Sequence, residues 1–151
     1  MKKIILNTCF GGYGWSRAAI LDYLDRIGAT LEFKLRTGFA DYVPSTKEAY
    51  LKGNYGVSVF ANGKWIHSID REDPVAIQLL EESGSEYCSG NNANLVIEEY
   101  DDALFKPIVD EYDGAESLEL YPCIAESRIR ECSTMDEVVD LLKQVNIVKT
   151  A

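Results

Sequence analysis

The sequence predicts a single α+β domain over residues 1–151, with a mostly antiparallel sheet and two or three helices. The composition predicts a folded chain, because 46% of its 151 residues are hydrophobic and 26% are charged, enough to build one core. Hairpin signals outnumber clean β-α-β units, which favours antiparallel pairing. No repeat, linker or low-complexity run divides the chain, so one domain is expected.

The N-terminal part predicts a strand, a glycine turn and a helix. Residues 3–9 are mostly apolar and lead into a segment that holds three glycines between positions 10 and 15. Ser16 is a favourable N-cap, and apolar residues then recur at helical spacing until Gly28 ends the helix. Residues 30–36 alternate between polar and apolar side chains, as a half-buried strand does.

The middle of the chain contains a segment with little regular pattern, followed by a strong signal for a β-hairpin. Residues 37–55 have little periodicity and predict a long loop with one helical turn at 45–51. Two alternating segments, 57–60 and 65–68, flank the dipeptide Asn62-Gly63. Asn-Gly between such segments is the strongest short-range hairpin signal, so a hairpin is predicted here.

The C-terminal half predicts one helix, two strands and a helical extension. Asp73-Pro74 supplies a cap and a first-turn proline for a helix that should end near Gly84, before a loop at 85–94. The segments 95–99 and 115–121 are the expected strands. Residues 122–151 form the C-terminal helical extension, in which a capping signature near Ser133 precedes an amphipathic helix.

Charge restricts the partners that are expected. The chain carries 25 acidic and 15 basic residues, a formal net charge of −10, so its mean field repels long nucleic acid and anionic membranes. A small anion is still compatible, because salt screens that field beyond about 8–10 Å. The apolar start is too short for a signal peptide, and the cysteines lack CxxC spacing, which predicts a cytoplasmic protein.

The glycine loop is the main candidate for a ligand site. Gly11, Gly12 and Gly14 permit backbone conformations with positive φ and close approach of a ligand to the main chain. The helix that follows begins with free N–H groups beside its cap Ser16, a suitable site for a phosphate or carboxylate. Arg17 opposes the helix dipole, which favours an anion nearby. The spacing matches neither GxGxxG nor a Walker loop, so no dinucleotide or triphosphate site is assigned.

Aromatic and basic residues complete this candidate site. Aromatic rings stack on flat ligands, although packing in a core is their commoner use, and a tight structural turn with Tyr13 and Trp15 in the core remains the alternative. Arg71 or Arg36 is expected as a second anchor for the anion. The residues considered for stacking are Tyr13, Trp15, Trp65 and Tyr112.

Catalytic and metal-binding roles have weaker signals. His67 is the only histidine, so acid-base chemistry on imidazole would need it, but no nucleophile lies beside it in sequence. The acidic stretches 98–102 and 110–113 lack the pattern of a calcium loop, and solvated turns are the alternative. No catalytic residue, metal ligand or cofactor is assigned.

Three segments, in order along the chain, resemble one family. They are Lys3-Ile-Ile-Leu-Asn-Thr-Cys-Phe-Gly-Gly-Tyr-Gly-Trp-Ser16, Arg71-Glu-Asp-Pro-Val75 with Glu81-Glu-Ser-Gly84, and Val109-Asp-Glu-Tyr-Asp-Gly114. The pattern is similar to small phage and prophage proteins with an N-x-C-[FY]-G-G-[FY]-G start. The resemblance covers about half of the chain and implies a phage origin, a compact α+β fold and a location in the host cytoplasm. Regions 37–68 and 122–148 depart from the pattern.

The resemblance and the residues together lead to a functional hypothesis. Small phage proteins with a glycine-lined pocket are similar in kind to anti-defence sponges, which sequester nucleotide signals of host immunity. We therefore expect capture of a small nucleotide-derived ligand, with a homo-oligomer left open. Two alternatives remain: an enzyme that cleaves such a nucleotide, and an acidic inhibitor module that binds a protein.

Overall fold

The computed structural model describes residues 1–145, and the last six positions of the predicted extension, 146–151, lie outside the described residues. The α+β class is confirmed, and every strand pairing among the described residues is antiparallel. The strands are β1 Lys2–Asn7, β2 Leu31–Arg36, β3 Tyr42–Pro44, β4 Val57–Ala61, β5 Lys64–Ile66, β6 Leu95–Tyr100, β7 Phe105–Tyr112 and β8 Ala115–Pro122. The helices are α1 Arg17–Arg26, α2 Lys47–Leu51, α3 Pro74–Cys88, α4 Glu126–Arg130 and α5 Met135–Gln144.

A four-stranded sheet has the order β3-β2-β4-β5. Its hairpin turns at Asn62 and Gly63, with φ of 50° and 81°, as a two-residue hairpin loop requires, so the predicted hairpin is confirmed. Leu31, Phe33 and Leu35 of β2 share the inner face with Val57, Val59 and Ala61 of β4, and Val59 is fully buried. The segment expected to be a long loop contains β3 as well as the short helix α2.

A second, two-stranded sheet pairs β1 with β6 and brings the end of β1 beside the start of β6. Asn7 lies opposite Leu95 in this register. Helices α1 and α3 contribute apolar faces to the main core, in which Leu24, Leu79 and Leu95 are almost fully buried. The glycine loop leaves β1 and enters α1 at the edge of this core.

Helices α1 and α3 begin where the sequence predicts. Ser16 accepts from the Ala19 N–H, and the Asp73 carboxylate accepts from the first turn of α3. The expected end of α3 near Gly84 is wrong, because helical structure resumes and continues to Cys88. Gly84 takes φ of 84°, which kinks the helix at a position that glycine tolerates.

Strands β7 and β8 form a hairpin that turns at Asp113 and Gly114. Helices α4 and α5 follow it, and Thr134 caps α5, as the capping signature predicts. A small second core joins this region, with Leu104, Leu141 and Val145 buried together. The described part of the C-terminal extension is therefore helical and packs on the start of β7.

Candidate functional site

The first half of the glycine loop is anchored by Asn7, a polar residue that is fully buried. Its Nδ2 donates to the carbonyl oxygens of Cys9 and Gly114, both at 2.8 Å. Its Oδ1 accepts from the N–H of Cys9 at 3.2 Å and of Asn94 at 2.8 Å. Asn7 thus uses both ends of its amide to join β1, the start of β6 and the β7–β8 turn.

Arg71 and Glu116 form a bidentate ion pair next to Asn7. The guanidinium donates to the two carboxylate oxygens at 2.6 and 2.5 Å, and the Glu116 side chain is 5% exposed. The same carboxylate accepts from the Asn7 N–H, while Arg71 exchanges two hydrogen bonds with the backbone of Ile5. The pair therefore supplies hydrogen-bond partners to the backbone of Ile5 and Asn7 in β1. The positive charge of Arg71 is balanced by Glu116 within the protein.

Tyr13 and Trp15 pack against this network. The guanidinium carbon of Arg71 lies 4.0 Å from the centre of the Tyr13 ring. The Tyr13 hydroxyl donates to the Ile69 carbonyl and accepts from the Trp15 indole N–H. Burial raises the pKa of Tyr13, while the bond from Trp15 acts in the opposite direction. Both rings thus have partners in the protein, as the structural alternative for the loop requires.

The loop glycines make close contact with the protein's own backbone. A Cβ on Gly114 would lie 2.5 Å from the Gly12 nitrogen, and a Cβ on Gly11 would lie 2.1 Å from the Asn92 oxygen. Gly12 has φ of 89°, with open space where a Cβ would be. Gly14 accepts from the Gly90 N–H. Glycine at these positions therefore lets the backbone of the loop lie close to the β7–β8 turn and to residues 90–92.

The second half of the loop borders a cleft of about 520 Å³ at the start of α1, which we call the cationic cleft. Its lining includes two cations, Arg17 and Lys52, and no carboxylate. This contrasts with the cleft of about 660 Å³ that Tyr13 and Arg71 line, which also contains Asp70 and Glu72. The cationic cleft is lined by Trp15, Ser16, Arg17, Ala18, Leu51, Lys52, Gly53, Ser89, Gly90 and Asn91.

The start of α1 supplies backbone donors to the cationic cleft. Ser16 caps the Ala19 N–H with its hydroxyl, which donates in turn to the Tyr87 carbonyl. The N–H groups of Arg17 and Ala18 belong to the first turn, where a helix has no internal acceptors, and both residues line the cleft. The positive end of the α1 dipole therefore adds to the two cations.

Arg17 also has a structural role. Its Nη1 donates to the carbonyl oxygens of Tyr50 at 2.8 Å and Asn54 at 3.4 Å, just where α2 ends. The guanidinium carbon lies 4.8 Å from the centre of the Tyr50 ring. A cation at the C-terminal end of α2 is favourable, which explains why the sequence tolerates one at the start of α1.

The remaining predicted site residues lie elsewhere. Arg36 is on the solvent side of β2, where it donates to the carbonyl oxygens of Gly38 and Phe39. Tyr112 is 80% exposed at the end of β7. His67 stacks on Trp65 with ring centres 4.4 Å apart. The structure therefore brings Trp15, Ser16 and Arg17 together in the cationic cleft, separately from Arg36, Arg71 and Tyr112.

Sequence reasoning missed the residues that complete the cleft. Lys52 and Gly53 follow α2 in a stretch without periodicity, and Ser89 to Asn91 follow the kinked end of α3. Backbone hydrogen bonds from Gly90 to Gly14 and from Ser16 to Cys88 bring the latter segment to the loop. Asn7 was also missed, although a polar residue at the end of an apolar strand is a signal that the sequence contains.

Residues 1–145 contain neither a metal-binding cluster nor a membrane-spanning helix. No three His, Cys, Asp or Glu side chains in this range come together as a metal site would require. No helix within it has both the length and the apolar character needed to cross a membrane. Comparison of the chain with models of known families, with curated proteins and with solved structures found no match. Function is therefore inferred from geometry and charge.

Proposed function

We propose that the protein is a phage-type anti-defence protein that binds and sequesters a small nucleotide-derived immune signal in the cationic cleft. The observation that carries the proposal is the charge of this cleft. Arg17 and Lys52 line it without any carboxylate, although the whole chain has a net charge of −10. A local positive field of this kind attracts a phosphate-bearing ligand.

The dimensions and donors of the cleft support this proposal. Its volume of about 520 Å³ lies in the range of small-molecule sites. The first-turn N–H groups of Arg17 and Ala18 and the Lys52 ammonium can donate to the same phosphate oxygens. Leu51, which is 45% exposed, provides apolar surface beside them.

Capture is favoured over cleavage by the position of the histidine. His67 follows β5 directly, stacks on Trp65 and does not line the cationic cleft. A hydrolase that used this cleft would have to transfer protons without imidazole. Sequestration of a host signal also requires the host cytoplasm as the compartment.

The ligand can be identified directly. The protein is purified from cells with an active nucleotide-signalling defence and denatured by heat, and the released small molecules are analysed by mass spectrometry. An intact nucleotide is expected. A linear or shortened product after long incubation would instead support the cleaving enzyme, whereas a salt-sensitive protein partner with no nucleotide would support the inhibitor module.

Lys52→Glu tests the site, because Lys52 is exposed, lies at the cleft and makes no ion pair within residues 1–145. Binding of the identified nucleotide should weaken about tenfold or more, since a charge-assisted contact contributes about 1.5–3 kcal/mol. Isothermal titration at two salt concentrations measures this loss. Lys47→Glu is the matched control, since it makes the same charge change on α2 outside the cleft lining and should leave affinity unchanged. Equal affinities of Lys52→Glu and wild type would contradict the proposed site.

A further inference from the structure

The outer face of the four-stranded sheet carries aromatic side chains across its width. Tyr42 on β3, Phe60 on β4 and Trp65 on β5 share this face. In the register of the strands, Tyr42 lies opposite Arg36, and Phe60 lies between Glu32 and Trp65. His67 follows Trp65 by two positions and stacks on it. We call these four residues the aromatic row.

The rings of the aromatic row make contact in two pairs. Tyr42 meets Phe60 edge to face, with ring centres 5.4 Å apart. Phe60 and Trp65 are cross-strand partners, and the Trp65 and His67 rings stack at 4.4 Å with an interplanar angle of 29°. Trp65 is 54% exposed, so a large part of the row faces solvent and offers flat surfaces to a ligand.

Cations accompany these rings. The Lys34 ammonium lies 4.5 Å from the centre of the Phe60 ring, and Arg36 is on the same strand face, two residues further along. A cleft of about 300 Å³ opens between Lys34, Tyr42 and Pro44. Glu32 pairs with Lys34 at 3.4 Å, which leaves Arg36 as the cation on β2 without an ion pair in residues 1–145.

The sheet segment also differs in charge from the rest of the chain. Residues 30–69 contain five basic and three acidic residues, a net charge of +2, whereas the whole chain carries −10. The mean field that repels nucleic acid therefore arises outside this segment. On the outer face of β2 the cations Lys34 and Arg36 stand against one carboxylate, Glu32, so the acidic charge of the chain is not concentrated beside the aromatic row.

We propose that this face is a binding surface for single-stranded nucleic acid, with bases stacked on the aromatic row and phosphates beside Lys34 and Arg36. Stacking on aromatic side chains needs unpaired bases, which a duplex hides within its helix. Strands lie about 4.8 Å apart, so a row across four strands spans about 14 Å, room for about two or three stacked bases. The proposal is independent of the cationic cleft.

Fluorescence of Trp65 provides the first test. The protein contains two tryptophans, and Trp15 is buried at 5% exposure, so a solution ligand should quench Trp65 selectively. Titration with a twelve-nucleotide oligothymidylate is expected to quench the emission in a saturable way. The matched duplex should quench much less. No quenching at about 0.1 mM oligonucleotide, or equal binding of single strand and duplex, would overturn the proposal.

Substitutions then locate the site, with fluorescence anisotropy of a labelled oligothymidylate as the readout. Trp65→Ala and Tyr42→Ala should each weaken binding about tenfold, the effect of losing one stacked base. Tyr112→Ala removes a tyrosine that is more exposed than Tyr42, from the acidic β7–β8 hairpin, and should have no effect. Wild-type affinity in both row variants would overturn the proposal, as would equal loss in the control.

A charge pair completes the test. Arg36→Gln should weaken binding and reduce its salt dependence, because one phosphate contact is lost. Lys106→Gln, on β7, removes a positive charge far from the row in sequence and should change neither quantity. Self-association that Trp65→Ala abolishes, without any binding of oligonucleotide, would assign the face to a contact between copies of the chain and overturn the proposal.

Discussion

The two halves of the glycine loop differ in how their polar groups are satisfied. Residues 11–13 lie against the β7–β8 turn, where Gly114 approaches Gly12 too closely for any Cβ. Residues 15–17 lead into α1 and line the cationic cleft with N–H groups that a helix start leaves free. One half is thus occupied by the protein itself, and the other half is available to a ligand.

This difference shows that a glycine-rich turn has two separate uses. The absence of a Cβ allows backbone approach, and in the first half the approaching group is the chain's own hairpin. The hydrogen bonds of Asn7 satisfy backbone groups that would each cost about 1–3 kcal/mol if buried without a partner. The first-turn N–H groups of α1 are reached from the cleft, so water can satisfy them until a ligand replaces it.

Asn7→Leu should disrupt the half of the loop that packs against the protein itself. Of the substitutions proposed, it should have the largest effect on stability. The change removes four hydrogen bonds around a fully buried side chain and leaves groups of Cys9, Asn94 and Gly114 unpaired. The free energy of unfolding should fall by about 3–5 kcal/mol, measured by urea denaturation. Asn91→Ala, at an exposed asparagine of the cleft, is the control and should stay within about 0.5 kcal/mol of wild type. A loss below about 1 kcal/mol for Asn7→Leu would show that the network is not the anchor of the loop.

Gly114→Ala and Gly12→Ala form a pair that measures the close approach. Both glycines have positive φ, 87° and 89°, so both substitutions carry a backbone penalty of about 1 kcal/mol. Only the Cβ on Gly114 would meet backbone atoms, at 2.5 Å from the Gly12 nitrogen. Gly114→Ala should therefore cost about 2 kcal/mol more than Gly12→Ala in thermal or urea unfolding. Equal losses would mean that conformation alone requires glycine at position 114.

Local signals predicted most elements, because those signals act within a few residues. The Ser16 cap, the Asn62-Gly63 turn and the Asp73-Pro74 start all lie where the sequence indicates. Elements without a clear local pattern were missed, including the eight-residue strand β7. Strand β3 has three residues and forms by pairing with β2, and α4 has no side-chain cap, so neither has a strong local signature.

The candidate site was predictable only in part for a related reason. The sequence indicates which residues open α1, because caps and glycines are adjacent along the chain. It does not indicate that Lys52 comes to the same cleft, or that Glu116 pairs with Arg71, since these contacts join segments far apart in sequence. Of the aromatic row, the sequence analysis considered only Trp65 for stacking, because Tyr42 and Phe60 come beside it through the register of the sheet.

Arg17→Gln should have the smallest effect on stability of these substitutions. It bears on both halves of the comparison, because Arg17 donates to the end of α2 and also lines the cationic cleft. If dipole repulsion at the start of α1 dominated, removing the cation would raise stability by a few tenths of a kcal/mol. The guanidinium, however, donates to two carbonyl oxygens at the end of α2, and hydrogen bonds from a charged donor contribute about 1.5–3 kcal/mol. Losing these hydrogen bonds outweighs the relief of the dipole repulsion, so the free energy of unfolding should fall by about 1–2 kcal/mol. Urea denaturation measures this fall beside Lys52→Glu, which places a carboxylate at the C-cap of α2 and should cost less than about 1 kcal/mol. A rise in stability would show that the bonds to Tyr50 and Asn54 contribute little, and would return Arg17 to the single role of an anion contact.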